Sequence, residues 1–141
     1  MKDEKEQDLE TKVRWGANEG RARRSFERDL VGRTRRYALA VIRLYSNLPK
    51  STVAQVLGRQ LLRSGTSVGA HYREANRAKS NADFISKIEG ALQELDETAY
   101  WLELLGDSKT AAQDQLDALC LETEELISIF VTIAKAAKGS K

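Results

Sequence analysis

Apolar residues recur at spacings of three and four along most of this chain, the rhythm of helices that bury one face. The stripe is purest in the second half. Ile85, Ile88, Leu92, Leu95, Ala99, Leu102 and Leu105 form one run. Leu116, Leu119, Thr123, Leu126, Phe130, Ile133 and Ala137 form another. Nearer the start, Phe26, Leu30, Tyr37, Val41, Leu44 and Leu48 keep the same spacing apart from a gap at Arg33–Thr34. Val53, Val56, Leu57, Leu61, Val68 and Tyr72 make a fourth set. No segment alternates with period two for long enough to suggest a strand.

Capping chemistry divides these sets into four helices. Ser25 suits the N-cap of a helix over 26–47, and Asn47-Leu48-Pro49 ends it, because the residue before proline avoids helical backbone. Ser51 opens a second helix over 51–78. Ser80 with Asp83 resembles a capping box for a third over 81–105, which Gly106-Asp107 terminates. Thr110 with Gln113 is a further capping pair, for a fourth helix over 111–137. Lys135 and Lys138 lie near its C-terminus, where the helix dipole favours cations. Four such helices with short loops predict an all-α fold, an antiparallel up-down four-helix bundle over residues 25–138. Residues 1–24 are mostly polar, with Val13 and Trp15 among the few apolar side chains and glycines at Gly16 and Gly20. They are expected to form a mobile basic arm with room for one short helical turn.

Composition fits that picture. The chain has 141 residues, 31% of them charged and 6% aromatic, with a single proline, Pro49, as expected for one soluble helical domain. Cys120 is the sole cysteine and has no intramolecular disulfide partner. The first ten residues are too polar for a signal peptide, and no apolar run nears the roughly 20 residues of a membrane span. A reducing cytoplasm without membrane contact is the expected setting.

Charge is what makes the pattern unusual. Residues 1–80 hold 18 Lys and Arg against 9 Asp and Glu, whereas residues 81–141 hold 5 against 12. Residues 21–80 alone hold 14 basic and 3 acidic residues. Two readings stand. The basic and acidic halves neutralise each other by packing, or the first two helices present an electropositive face. Arg21, Arg23, Arg24, Arg28, Arg33, Arg35, Arg36 and Arg43 fall in the arm and first helix, and Arg59, Arg63, Arg73 and Arg77 continue in the second. Arginine is the better fork for phosphate, so the second reading implies phosphate contacts. The bets are Arg24, Arg28, Arg35, Arg36 and Arg43, with Arg28, Arg35 and Arg43 able to share one helical face. Arg63, Arg73 and Arg77 are a second tier. No ordered aromatic platform accompanies them, so such binding reads backbone or shape rather than bases.

Catalytic chemistry finds little support. His71 is the only histidine, with Glu74 three residues on, and one histidine cannot furnish the paired motifs of a bundle metal site. Cys120 beside Leu119 reads as a small core residue. Asp83, Glu89, Glu94, Asp96, Glu97 and Glu103 form a solvated or interface face of the third helix. No catalytic residue, metal or cofactor is therefore expected. Gly65 and Gly69, with Ser64, Thr66, Ser67 and Ala70, each forgo about 1 kcal/mol of helix propensity relative to alanine. They imply close backbone approach, within the bundle or at a subunit interface; Tyr72 and the Tyr100-Trp101 pair suit packing or interface roles too.

The stretch Leu62 to Ala70, then Tyr72-Arg73-Glu74-Ala75, Ser80, Asp83-Phe84-Ile85, Ala91, Glu94, Glu97-Thr98 and Tyr100-Trp101-Leu102, resembles a bacterial family of four-helix bundles. Its members are encoded in intervening sequences of large-subunit rRNA genes and are sometimes labelled ribosomal-protein-like. The likeness spans about residues 25–137 and includes Leu44 to Pro49. It implies a self-associating bundle, a ring-shaped homopentamer, with no catalytic residues to carry over. The chain also resembles accessory proteins of diversity-generating retroelements, which implies nucleic acid and a reverse transcriptase as partners. The expected function is a non-enzymatic, nucleic-acid-binding accessory protein acting as a homo-oligomer. The alternative is a protein-interaction scaffold that docks a reverse transcriptase or ribonucleoprotein without touching nucleic acid.

Overall fold

The computed structural model describes residues 17–139, with side chains from residue 30 onward. Four helices follow one another: α1 (Ala17–Ser46), α2 (Thr52–Asn76), α3 (Asn81–Asp107) and α4 (Gln113–Lys138). Among the described residues there is no strand. α2 packs along α1 and α3, and α3 along α4, while the seam between α1 and α4 is looser. The helices run antiparallel. Gly58 lies against Tyr45 and Leu48, Gly65 against Val41 and Gly69 against Thr34, so α2 numbers rise as α1 numbers fall.

Two of the expected caps form as drawn. Ser51 accepts from the Ala54 N–H at 3.2 Å and Ser80 from the Asp83 N–H at 3.0 Å. The other starts differ. α1 begins at Ala17, so Ser25 lies inside the helix and residues 17–24 belong to it rather than to an arm. Ala17, Glu19, Arg21 and Ala22 through Arg24 are good helix formers, which offsets Gly20. The rest of the proposed arm, residues 1–16, lies outside the described residues. α4 starts at Gln113 with Ala112 as N-cap, whose N–H donates to Gln115 Oε1 at 3.1 Å. Thr110 instead pairs its hydroxyl with Ser108 at 2.7 Å.

Gly106 does not supply a left-handed helix end either. It stays helical, and a Cβ there would lie 3.0 Å from Gln113 Oε1 and 3.2 Å from Leu116 Cδ1, so its role is close approach of α4. Lys109 takes the left-handed turn with φ of 57°. A side chain in that region costs energy that glycine avoids. Lys109→Gly is therefore expected to raise stability by about 1 kcal/mol. Thermal melting followed by circular dichroism should show a rise of about 2–5 °C; a lower midpoint would contradict the assignment.

The core follows the stripes with instructive exceptions. All seven α4 positions of the sequence stripe are buried. In α1 the gap is filled by Thr34, fully buried because its hydroxyl donates to the Leu30 carbonyl at 2.7 Å. In α2 the buried line is Ala54, Gly58, Leu61, Ser64, Gly65, Val68, Tyr72 and Ala75. Val53 and Val56 point to solvent, 54% and 48% exposed, because small residues let α2 turn its narrow side inward. Buried hydroxyls find partners across the bundle: Ser64 with Thr98 at 2.7 Å, and Tyr37 with Thr123 at 2.6 Å. Thr123 donates to the Leu119 carbonyl, so the Tyr37 phenol is the donor of that pair. Burial pushes the Tyr37 phenol up to about 12.

Candidate nucleic-acid interface

Only one arginine spans helices by an ion pair among the described residues. Arg33 holds Glu122 of α4 with a fork, Nε to Oε2 at 2.6 Å and Nη2 to Oε1 at 2.8 Å, and adds Glu125 through the same Nη2. Its hydrogen bonds to Glu122, against the opposing pull of burial, lift its pKa further above the ordinary arginine value. Three carboxylates of α3 have other partners: Asp83 pairs with Lys87, Glu89 with Lys138, and Glu94 lies beside His71 Nε2 at 3.5 Å. The Asp83 carboxyl is held below its usual range by the hydrogen bond from Lys87.

Arg35, Arg36, Arg43, Arg59, Arg63, Arg73 and Arg77 are all exposed and none forms an ion pair with a described residue. Packing thus leaves these seven arginines unneutralised by any described carboxylate. The fold sorts these arginines onto separate faces. Arg36 and Arg43 line a groove of about 490 Å³ between α1 and α4, beside Asn47, Gln115 and the Arg33–Glu122 fork. Arg35 does not line it, since eight residues turn the helix about 80° past two full turns and set Arg35 apart from Arg43. Arg63 and Arg73 lie on the outer side of α2, opposite its buried line, and Arg77 is the exposed C-cap residue just past its end. Arg59, one turn before Arg63, joins them; its i, i+4 spacing was visible in the sequence. Arg24 and Arg28 belong to α1, but their side chains lie outside the described residues.

The close-packing residues are mostly internal. Gly65 and Gly69 face α1 of the same chain, and Tyr72 is fully buried with its ring 5.6 Å from that of Phe130. Those three pack against the protomer's own helices. Trp101 packs partly buried against the core. Tyr100 is 52% exposed and lines a second groove, of about 440 Å³, between α3 and α4 with Asp96, Glu103, Asp107 and Glu124.

His71 and Cys120 are not brought together. His71 sits at the α2–α3 seam, where a Cβ on Gly90 would come within 2.9 Å of its Nδ1. Cys120 lines the α3–α4 groove, and burial raises its thiol pKa. Among the described residues no three His, Cys, Asp or Glu side chains cluster as a metal site. No described helix is long and apolar enough to cross a membrane.

Comparison with known proteins agrees with the fold. The family model described as 23S rRNA-intervening sequence protein matches residues 27–132. A crystal structure of a protein of unknown function from the S23 ribosomal protein family, from Bacteroides thetaiotaomicron, superposes with a TM-score of 0.73 at 36% identity. The match covers 77% of this chain and 97% of that one. No curated protein matches the chain.

Proposed function

Because this chain belongs to the 23S rRNA-intervening sequence protein family, we propose that it is a non-enzymatic accessory protein that holds nucleic acid by its phosphate backbone. The observation that carries this reading is the set of seven exposed arginines on α1 and α2 that no described carboxylate pairs. A helix pair built only for mutual packing would place its cations against the acidic helices, as Arg33 does. Unpaired guanidinium groups instead await an external polyanion, whose condensed counterions they release on binding. The family's name, which ties its members to 23S rRNA intervening sequences, favours nucleic acid as that polyanion.

Arg36 and Arg43 are the contacts on α1, seven residues and about 10 Å apart on one face of the groove. Arg35, Arg63, Arg73 and Arg77 extend the surface, and Arg24 and Arg28 continue the same helix toward its start. Assembly into a homo-oligomer, as a ring, multiplies the weak contacts of each protomer into avidity. In this reading the protein works in the cytoplasm, alongside a reverse transcriptase where its gene neighbours one.

Filter binding of structured RNA and duplex DNA between 50 and 200 mM salt tests it. The wild-type affinity is expected to fall steeply with salt. Arg36→Glu with Arg43→Glu is expected to weaken binding about 10-fold or more at low salt and to flatten the salt slope by about 2. Absence of wild-type binding at 50 mM salt, or an unchanged affinity in the variant, would overturn the proposal. Co-purification of a protein partner that survives nuclease and high salt, in the absence of nucleic-acid binding, would establish the scaffold reading instead.

A further inference from the structure

The outer side of α2 has a pattern that a general basic surface does not need. Arg59 and Arg63 form one pair, Arg73 and Arg77 another, and each pair is one helical turn apart. By helical phase Arg59, Arg63 and Arg73 fall within an arc of about 80°, and Arg77 follows as the C-cap residue directly after the last helical position. All four are exposed and none is ion-paired within the described chain. Between the pairs the outward positions are small: Thr66, Ser67 and Ala70. The nine residues between Arg63 and Arg73 include no lysine or arginine.

From this spacing we infer that α2 lies across a groove of a duplex and grips the two phosphate strands on its banks. The inference rests on the nucleic-acid reading above and names the class of ligand. The inner arginines, Arg63 and Arg73, have Cα atoms about 15 Å apart, and the outer two, Arg59 and Arg77, about 27 Å. A groove about 12 Å wide, bounded by two phosphate strands, is about 3 Å narrower than the inner span, a difference that the inward reach of the Arg63 and Arg73 side chains closes. A single strand running along α2 would lay phosphates over the uncharged middle with no cation to meet them. A duplex places its open groove there.

The small middle lets the helix approach closely, and it also sets what is read. The Thr66 hydroxyl donates to the Leu62 carbonyl and the Ser67 hydroxyl to the Arg63 carbonyl, both at 2.7 Å. Ala70 offers no polar group. Neither hydroxyl proton is left for a base edge, so α2 recognises the width of the groove rather than sequence. Glu74, the one acidic side chain of α2, lies on the flank of the second pair and opposes binding.

The test uses the full-length protein with 20-base-pair duplexes of DNA and of RNA, and with each strand alone, in fluorescence anisotropy at fixed salt. At least one duplex is expected to bind about 10-fold tighter than its single strands, and the preferred one identifies the helical form that the spacing fits. Arg59→Gln with Arg63→Gln, and separately Arg73→Gln with Arg77→Gln, are each expected to weaken duplex binding about 10-fold and to flatten its salt slope by about 2. Ala70→Leu, which fills the middle without touching charge, is expected to weaken duplex binding and spare single-strand binding. Changing the duplex sequence is expected to leave affinity within about threefold. Equal binding of single strands and duplexes, dependence on only one arginine pair, or indifference to Ala70→Leu would overturn the inference. These results are separable from the parent proposal: silent α2 pairs with a sensitive Arg36–Arg43 pair sink only the duplex grip, whereas no binding by any form sinks both.

Discussion

Phe130→Ala is expected to destabilise the protein by about 3–5 kcal/mol, the range for removing a buried aromatic from a core that cannot collapse around the loss. Phe130 has no exposed surface and occupies the middle of the α4 stripe. Its ring stands 5.6 Å from that of Tyr72 at an interplanar angle of 58°, a tilted pair that adds about 0.5–1.5 kcal/mol beyond burial. Tyr72 is itself fully buried, so the vacated volume lies between α2 and α4 with no solvent to fill it. Phe130→Leu keeps most of the volume and should lose less than about 2 kcal/mol. Urea unfolding monitored by circular dichroism separates the two variants. The midpoint should fall in proportion while the slope stays constant. A loss below about 1 kcal/mol for the alanine variant would show that the α2–α4 contact is not where the core is fixed.

Gly65→Ala should also destabilise, although alanine is the better helix former by about 1 kcal/mol. The added Cβ would sit 2.7 Å from Val41 Cγ2 and 3.0 Å from its Cγ1. Real Cβ atoms do not come so near. Valine cannot swing aside, because its branched side chain has one favoured rotamer in a helix. Forcing the seam apart costs about 1–3 kcal/mol, and the net after helix propensity is a loss of up to about 2 kcal/mol. Val41→Ala is the complementary change. On its own it leaves a small void, but together with Gly65→Ala it removes the clash. The double variant is expected to be at least about 1 kcal/mol more stable than the sum of the single losses. Full additivity in that cycle, or a Gly65→Ala protein as stable as the wild type, would mean that the seam yields without cost.

These two sites show different legibility in the chain. Phe130 stands in a strict 3-4 stripe, and the structure buries every member of it. A full-length apolar stripe on a long helix has only one way to satisfy water, so its burial follows from local spacing alone. Gly65 was legible as a demand for close approach, since two interior glycines four apart otherwise weaken a helix. What approaches it was not. Val41 is 24 positions away in sequence, and only the α1–α2 packing puts its methyl groups there.

The caps divide in the same way. Ser51 and Ser80 act on N–H groups three residues ahead, so their roles are local and were readable. Ser25 and Thr110 have equally good cap chemistry but no helix end to serve: α1 already runs through Ser25, and Ala112 opens α4. Val53 and Val56 fitted the spacing of a core line yet face solvent, because Ala54, Gly58 and Gly65 give α2 a narrower side that brings α1 closer.

For the candidate interface, sequence supplied the inventory and the excess of charge between residues 21 and 80. It left open whether that excess is neutralised inside the bundle. An ion pair requires two side chains within about 4 Å, which depends on how each helix is rotated about its axis and against which neighbour it lies. Arg33 and Arg36 are three residues apart and chemically equivalent, yet one is held by Glu122 and Glu125 while the other stands free in the groove. Periodicity, caps and composition are properties of neighbours along the chain, and they determined four helices, their order and a basic first half. Rotation, seam width and the sorting of arginines between paired and free are properties of residues brought together from distant positions, and only the tertiary structure decided them.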